Sequence, residues 1–286
     1  MSELAKRVIV ALIIAPIAVI AAWFGDAALA TLLSVVAGLA AWELCRMVRA
    51  NGVASLDGLT IVLAATLPML AHAVRLNVLN PGPAWFIVAL ILIMTVTIFS
   101  RGVDERPFGV AAACFFITMY TGGALSFAYV LRYDSYAVGR TSQCLVLLLP
   151  VLLTWASDTG AYFVGRVFGR SKLMPAVSPA KTIEGALGGV VLSVVICWLS
   201  VRLLLVPQGQ LGLSPFGIVA FGIAIAVAAQ LGDLFESLLK REAGVKDSSG
   251  LLPGHGGVLD RIDSMLFALP VAVLLLDQLL IPAPQA

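Results

Sequence analysis

The chain has 286 residues, of which 60% are hydrophobic and 12% charged, with a mean hydropathy of +1.03 and a formal net charge of +2. That balance excludes a soluble globular domain and marks an integral membrane protein. The net charge identifies no partner by itself, and no nucleic acid is expected among the partners.

A helix needs roughly 20 apolar residues to cross a hydrocarbon core of about 30 Å. Predominantly apolar runs of that size, bounded by Gly, Pro, Asn or charge, occur at 8–24, 27–45, 59–74, 84–100, 108–131, 142–164, 183–206, 215–239 and 262–281. The runs are continuous and lack the ten-residue alternation of a membrane barrel, so the backbone must satisfy its polar groups within helices. The expected fold is all-α, a polytopic integral membrane protein with about nine transmembrane helices. Short cytoplasmic loops are enriched in Lys and Arg. A cytoplasmic N-terminus puts 14 of the 18 basic residues on one side: Lys6, Arg7, Arg46, Arg49, Arg101, Arg106, Arg166, Arg170, Lys172, Lys181, Lys240, Arg241, Lys246 and Arg261. The other side keeps Arg75, Arg132 and Arg140, with Arg202 near an outer helix end.

Lys6 and Arg7, the apolar run after them and Ala28-Leu29-Ala30 imitate a cleavable signal peptide, but the run is long enough to span. Cys45, Cys114, Cys144 and Cys197 have no CxxC spacing and read as small buried hydrophobes. Residues 1–150 read as scaffold helices joined by short loops such as Asn80-Pro81-Gly82-Pro83. His72 and Arg75, near a helix end, read as interfacial anchors. Residues 151–286 read as the catalytic half of a single membrane domain spanning 1–286. Two long polar segments there, 165–182 and 240–261, lie on the basic side.

Gln230, Asp233, Ser237 and Lys240 are spaced three, four and three and share one face of the helix from 215. A carboxylate inside a membrane helix costs about 2.5–3.5 kcal/mol, so Asp233 needs a cation, a partner or a water-filled cavity. An ion pair with a neighbouring base is the plain alternative. Asp260 and Asp263 put two more carboxylates on one face at the start of the last helix, where capping explains one acid. Three facing acids would repel one another unless a cation bound them, and an all-oxygen set without Cys or paired His suits Mg²⁺.

Between these helices run Lys246-Asp247-Ser248-Ser249 and Pro253-Gly254-His255-Gly256-Gly257. Glycines at this density leave backbone N–H groups open to phosphate, although a plain turn uses the same residues. His255 either contacts phosphate or orders the loop. Ser178-Pro179-Ala180-Lys181-Thr182-Ile183-Glu184-Gly185 reads as a second phosphate cradle. Ser178 is expected as N-cap with Pro179 at the first helical position, and Lys181 and Thr182 add a cation and a hydroxyl. Upstream, Asp158 is another intramembrane acid, four residues before Tyr162 on one helix face and followed by Gly165-Arg166 and Gly169-Arg170.

At this point the sequence closely resembles the phosphatidate cytidylyltransferase (CDP-diacylglycerol synthase) family. Ser237-Leu-Leu-Lys240-Arg241, then Lys246-Asp247, then Pro253-Gly-His255-Gly-Gly257-Val-Leu-Asp260-Arg261-Ile-Asp263 reproduce the family signature without a gap. Asp158 to Arg166 and Ser178 to Gly185 also look like family motifs, whereas the first half resembles it in hydrophobicity alone. Ala180 stands where a second basic residue often precedes the Lys, and Arg170 where Lys is common.

The resemblance implies the reaction of CTP with phosphatidate to give CDP-diacylglycerol and pyrophosphate in phospholipid biosynthesis. It implies Mg²⁺ dependence, with Asp233, Asp260 and Asp263 as metal ligands and room for a second cation. Asp233, Lys240, Lys246, Asp260 and Asp263 are the expected catalytic residues. Ser178, Lys181, Thr182, Ser237, Arg241, His255, Gly256, Gly257, Arg261 and Asp158 are expected to bind substrate or phosphate. CTP would come from the cytosol and phosphatidate from the bilayer, at a site facing the cytosol in a bacterial inner membrane, with membrane lipids as neighbours and a homodimer as the assembly. Rival readings are a CTP-dependent kinase of polyprenol or another lipid alcohol, which would need a general base for a neutral hydroxyl, and an ion-coupled transporter.

Overall fold

The computed structural model describes residues 3–80, 82, 84–137 and 139–283, with side chains from residue 12 onward. The side chains of Lys6 and Arg7, and the loop residues Pro81 and Pro83, lie outside the described residues. Within them the chain forms nine helical segments: α1 (Glu3–Phe24), α2 (Asp26–Ala50), α3 (Asp57–Arg75), α4 (Ala84–Ser100), α5 (Pro107–Arg132), α6 (Arg140–Phe168), α7 (Ile183–Gly209), α8 (Pro215–Glu242) and α9 (Leu259–Leu279). Seven of these, α2, α3 and α5 to α9, are long and apolar enough to cross a membrane. Leu12–Phe24 of α1 and the whole of α4 are apolar but shorter.

Several helices outrun the apolar runs that announced them. Arg49 sits in the last turn of α2, Arg166 in that of α6, and Lys240 and Arg241 in that of α8. Ending a span at its first charge misplaces these boundaries, because cations at a helix C-terminus complement the exposed carbonyls rather than terminating the helix. Two helices carry widened π turns. Met119–Gly123 lies within α5, and Val201–Gly209, with Pro207 inside it, closes α7. A proline removes one backbone donor, and a π turn is one way to absorb the mismatch.

The all-α expectation missed two short antiparallel ribbons. β1 (Lys172–Met174) pairs with β2 (Ser178–Thr182), with Lys172 opposite Thr182 and Met174 opposite Ser178. β3 (Leu211–Leu213) pairs with β4 (Leu280–Pro282) in regular register.

The chain divides into two compact units, Met1–Tyr129 with Leu239–Arg261, and Val130–Leu238 with Ile262–Ala286. The polar stretch after α8 therefore groups with helices of the first half, not only with the C-terminal ones. In the first unit Leu63, Ile93, Val110 and Cys114 from α3, α4 and α5 form a buried cluster. Leu56 N–H donates to Cys114 Sγ at 3.2 Å, and Gly122 of α5 lies so close to α3 that a Cβ would stand 2.1 Å from Ala64 O. Arg75 pairs with Asp26, and His72 Nδ1 lies 2.5 Å from Tyr129 OH. Both residues read as anchors from the sequence thus have partners within the protein.

In the second unit α6 and α7 approach through small residues, as membrane helices do when packing rather than hydrophobicity must hold them. A Cβ on Gly160 would lie 2.7 Å from Gly188 O, and one on Gly188 2.5 Å from Val164 Cβ. Gly188→Val is expected to force the two helices apart and to destabilise the fold by about 1–3 kcal/mol, read as a lowered thermal midpoint of the purified protein in detergent. An unchanged midpoint would show that this contact is not held.

Candidate active site

In the second unit the acidic face of α8 meets the end of β2. Asp233 Oδ2 lies 2.6 Å from Lys181 Nζ, with the two side chains 33% and 26% exposed. Ser237 Oγ donates to Asp233 Oδ1 at 3.3 Å. Asp233 thus has a cation and a hydroxyl, the partners an acid within an apolar helix requires. Gln230, on the same face, is a tie between helices: its Nε2 donates to Ser157 Oγ at 3.2 Å and to Ala186 O at 3.0 Å. Asp263, half-buried in α9, accepts Ser264 N–H at 2.6 Å. α9 crosses α8 closely enough that a Cβ on Gly232 would stand 2.7 Å from Asp263 O.

In the first unit Asp260 organises the polar loop. Its Oδ1 lies 2.8 Å from Lys240 Nζ. Its Oδ2 receives Gly257 N–H at 2.7 Å and Ser248 N–H at 3.0 Å, with Ser248 Oγ also at 3.0 Å. The Asp260 side chain is only 5% exposed. The glycines follow from that geometry: Gly256 has φ +80°, and a Cβ there would lie 2.6 Å from Asp260 Oδ2. His255 N–H closes a turn on Leu252 O at 2.8 Å, and its Nδ1 has no hydrogen-bond partner among the described residues. Lys246, Arg241 and Arg261 are exposed.

Glu43 was missed by the sequence reading. It lies in α2, fully buried, and accepts Ser249 Oγ–H at 2.5 Å, Leu259 N–H at 2.7 Å, Val258 N–H at 2.9 Å and Ser248 Oγ–H at 3.0 Å. The signal was present as a lone acid inside the apolar run 27–45, the same signal that singled out Asp233 and Asp158.

The cradle at 178–185 differs from expectation. Ser178 to Thr182 is strand β2, and the helix starts at Ile183 with Thr182 as N-cap, in extended backbone at φ −125° and ψ 155°, its Oγ1 accepting Gly185 N–H at 3.1 Å. Pairing with β1 draws Ser178 and Pro179 into extended conformation, so the cap passes to Thr182, the last residue of the ribbon. Glu184 in the first turn accepts Arg170 N–H at 3.1 Å and Ser171 N–H at 3.2 Å, tying the preceding loop to the helix. Asp158 is exposed on α6, and the neighbouring Tyr162 OH accepts from Arg166 Nη1 at 2.7 Å.

Among the described residues no group of three or more Asp, Glu, His or Cys side chains is gathered to hold a metal ion. Asp233 and Asp260 instead each hold a lysine ammonium, Lys181 and Lys240.

Helices of membrane-spanning length whose ends carry carboxylate–ammonium pairs, hydroxyls and glycine-rich backbone define a membrane-embedded protein with a polar, charge-paired site. The chain belongs to the cytidylyltransferase family, whose model matches residues 5–279, and is an enzyme that transfers the cytidylyl group of CTP. Curated relatives agree. A phosphatidate cytidylyltransferase of Staphylococcus haemolyticus is 36% identical over 225 residues, covering 79% of this chain and 81% of that protein. One from Haemophilus influenzae is 44% identical over 143 residues, about half of each chain at 49% and 48%. One from Staphylococcus saprophyticus is 38% identical over 188 residues, 66% of each.

Thr182→Ala is expected to cost about 1 kcal/mol of stability through loss of the cap. Thr182→Ser should restore it, and Ser178→Ala should leave the helix start unaffected. Thermal unfolding of the three variants in detergent decides which residue caps α7.

Proposed function

We propose that this chain transfers the cytidylyl group of CTP to phosphatidate, giving CDP-diacylglycerol and pyrophosphate. The reading is carried by the family match across residues 5–279 together with relatives named phosphatidate cytidylyltransferase. A phosphate oxygen of phosphatidate forms the new bond to the α-phosphorus of CTP as the bond from that phosphorus to the β-phosphate bridge breaks. The electron pair leaves with pyrophosphate. The nucleophile is already anionic, so no protein nucleophile or strong base is required. The chain's own task is to bring two polyanions together and neutralise them.

Lys181 and Lys240 suit that task because each is an ammonium held against a carboxylate, at 2.6 and 2.8 Å, and available to exchange it for phosphate. Exposed Lys246, Arg241 and Arg261 add positive charge, and His255 is a further proposed phosphate-binding residue. Thr182 orders the start of α7 beside Lys181.

Magnesium is the proposed cofactor, with Asp233, Asp260 and Asp263 as its carboxylates, as expected from the sequence. The fit rests on donor chemistry: these are hard oxygen ligands, and two of them already stabilise a cation. When bound, the metal supplies charge neutralisation for the transferring phosphoryl group and the pyrophosphate. The proposed topology has about nine spans and a cytoplasmic N-terminus, so that loops 165–182 and 240–261 face cytosolic CTP. The acyl chains of phosphatidate stay in the bilayer.

Two experiments test this reading. Purified protein with phosphatidate, Mg²⁺ and CTP labelled at the α-phosphorus should put label into the lipid, whereas label arriving only from the γ-phosphate would identify a lipid kinase. Asp233→Ala and Lys181→Ala should each lower kcat by about 10²–10³, and retention of pyrophosphate release in both would remove this pair from the machinery.

A further inference from the structure

We infer that Glu43 is a positioning residue for the reaction, setting the nucleotide-binding geometry of the polar loop from within a membrane helix. The inference rests on the reading of the chain as a phosphatidate cytidylyltransferase.

The sequence gives Glu43 no obvious task. It lies in α2, a 25-residue helix apolar enough to cross a membrane, where an acid is costly. In the structure the side chain is 0% exposed, and its contacts run to residues more than 200 positions away. Each oxygen receives one serine hydroxyl and one backbone N–H: Ser249 and Val258 on Oε1, Ser248 and Leu259 on Oε2. One carboxylate therefore fixes both ends of the loop at once, the hydroxyl pair after Lys246-Asp247 and the first peptides of α9. Only a carboxylate offers four acceptor directions, and glutamate has the longer reach.

The arrangement continues into the phosphate-handling residues. Ser248 is shared: its Oγ lies 3.0 Å from Glu43 Oε2 and 3.0 Å from Asp260 Oδ2, and its N–H donates to Asp260. Asp260 in turn holds Lys240. Gly257 lies between the two acids, where a Cβ would stand 2.0 Å from Ser248 Oγ and 2.5 Å from Glu43 Oε1. The last glycine of the Pro253 to Gly257 run is thus required by close packing on Glu43. The carboxylate sets where the loop's backbone N–H groups, His255 and the Lys240–Asp260 pair stand, while touching no substrate itself.

Glu43→Gln tests this with little change of volume. An amide keeps one acceptor oxygen and turns its NH₂ toward groups that are themselves donors, leaving buried N–H or O–H groups unmatched. Ser249→Ala removes one donor and spares the rest. With the purified full chain in detergent, Glu43→Gln should raise KM for CTP about tenfold or more and leave KM for phosphatidate nearly unchanged. Ser249→Ala should give a smaller shift in the same direction, and Glu43→Asp should fall between wild type and Glu43→Gln. Hydrogen exchange over residues 248–259 gives a readout independent of activity, and it should quicken in Glu43→Gln while α6 and α7 keep wild-type protection. Unchanged exchange in this loop, or KM values that rise equally for both substrates, would overturn the inference. A wild-type protein that makes no CDP-diacylglycerol would instead sink the reading of function, while the exchange data still decide whether Glu43 holds the loop.

Discussion

Asp260, Glu43 and Asp233 each have to be matched, and that requirement arranges the polar half of the chain. In hydrocarbon an unsatisfied carboxylate is expensive, and each satisfied one dictates what stands around it. Asp260 takes an ammonium, two backbone N–H groups and a hydroxyl contact, so the loop between α8 and α9 must fold back on the start of α9. Glu43 takes two hydroxyls and two N–H groups and seats the same loop on α2. Asp233 takes Lys181 and Ser237, which ties the end of β2 to α8. Glycine at 256 and 257 follows, since any side chain there would collide with the matched acids.

The same pairs bear on chemistry. A lysine resting on a carboxylate keeps both charges in place within an apolar surround. Lys181 with Asp233 and Lys240 with Asp260 are two copies of that device, one in each compact unit. For a transfer whose nucleophile is an anion, neutralisation and alignment are the main demands on the protein. A membrane fold meets them with few charged residues, provided each is held.

How much could be read without coordinates varies with the range of the interaction. The helices follow from apolar runs because the bilayer sets their length and the backbone must hydrogen-bond to itself, and seven of those described are long and apolar enough to cross. The residues of the candidate site stood out for the same reason, as polar groups where apolar ones belong. Helix ends were misjudged where cations extend the last turn, as at Arg49, Arg166 and Lys240. The cap of α7 was misplaced because Ser178 is drawn into a ribbon with β1, a pairing that local cap preference does not register. Glu43 was not legible because it stands alone among apolar residues, and its partners lie more than 200 residues away.

By itself the sequence determined that this is a helical membrane protein, roughly where its helices lie, and which polar residues interrupt its apolar half. Those properties are local: hydrophobicity summed over a span, and charge where lipid would expel it. Only the tertiary structure decided which carboxylate holds which cation, that Asp260 spends its oxygens ordering its own loop, and that Glu43 fastens that loop to α2. Such pairings depend on distances between segments remote in sequence, which folding sets and local composition does not record.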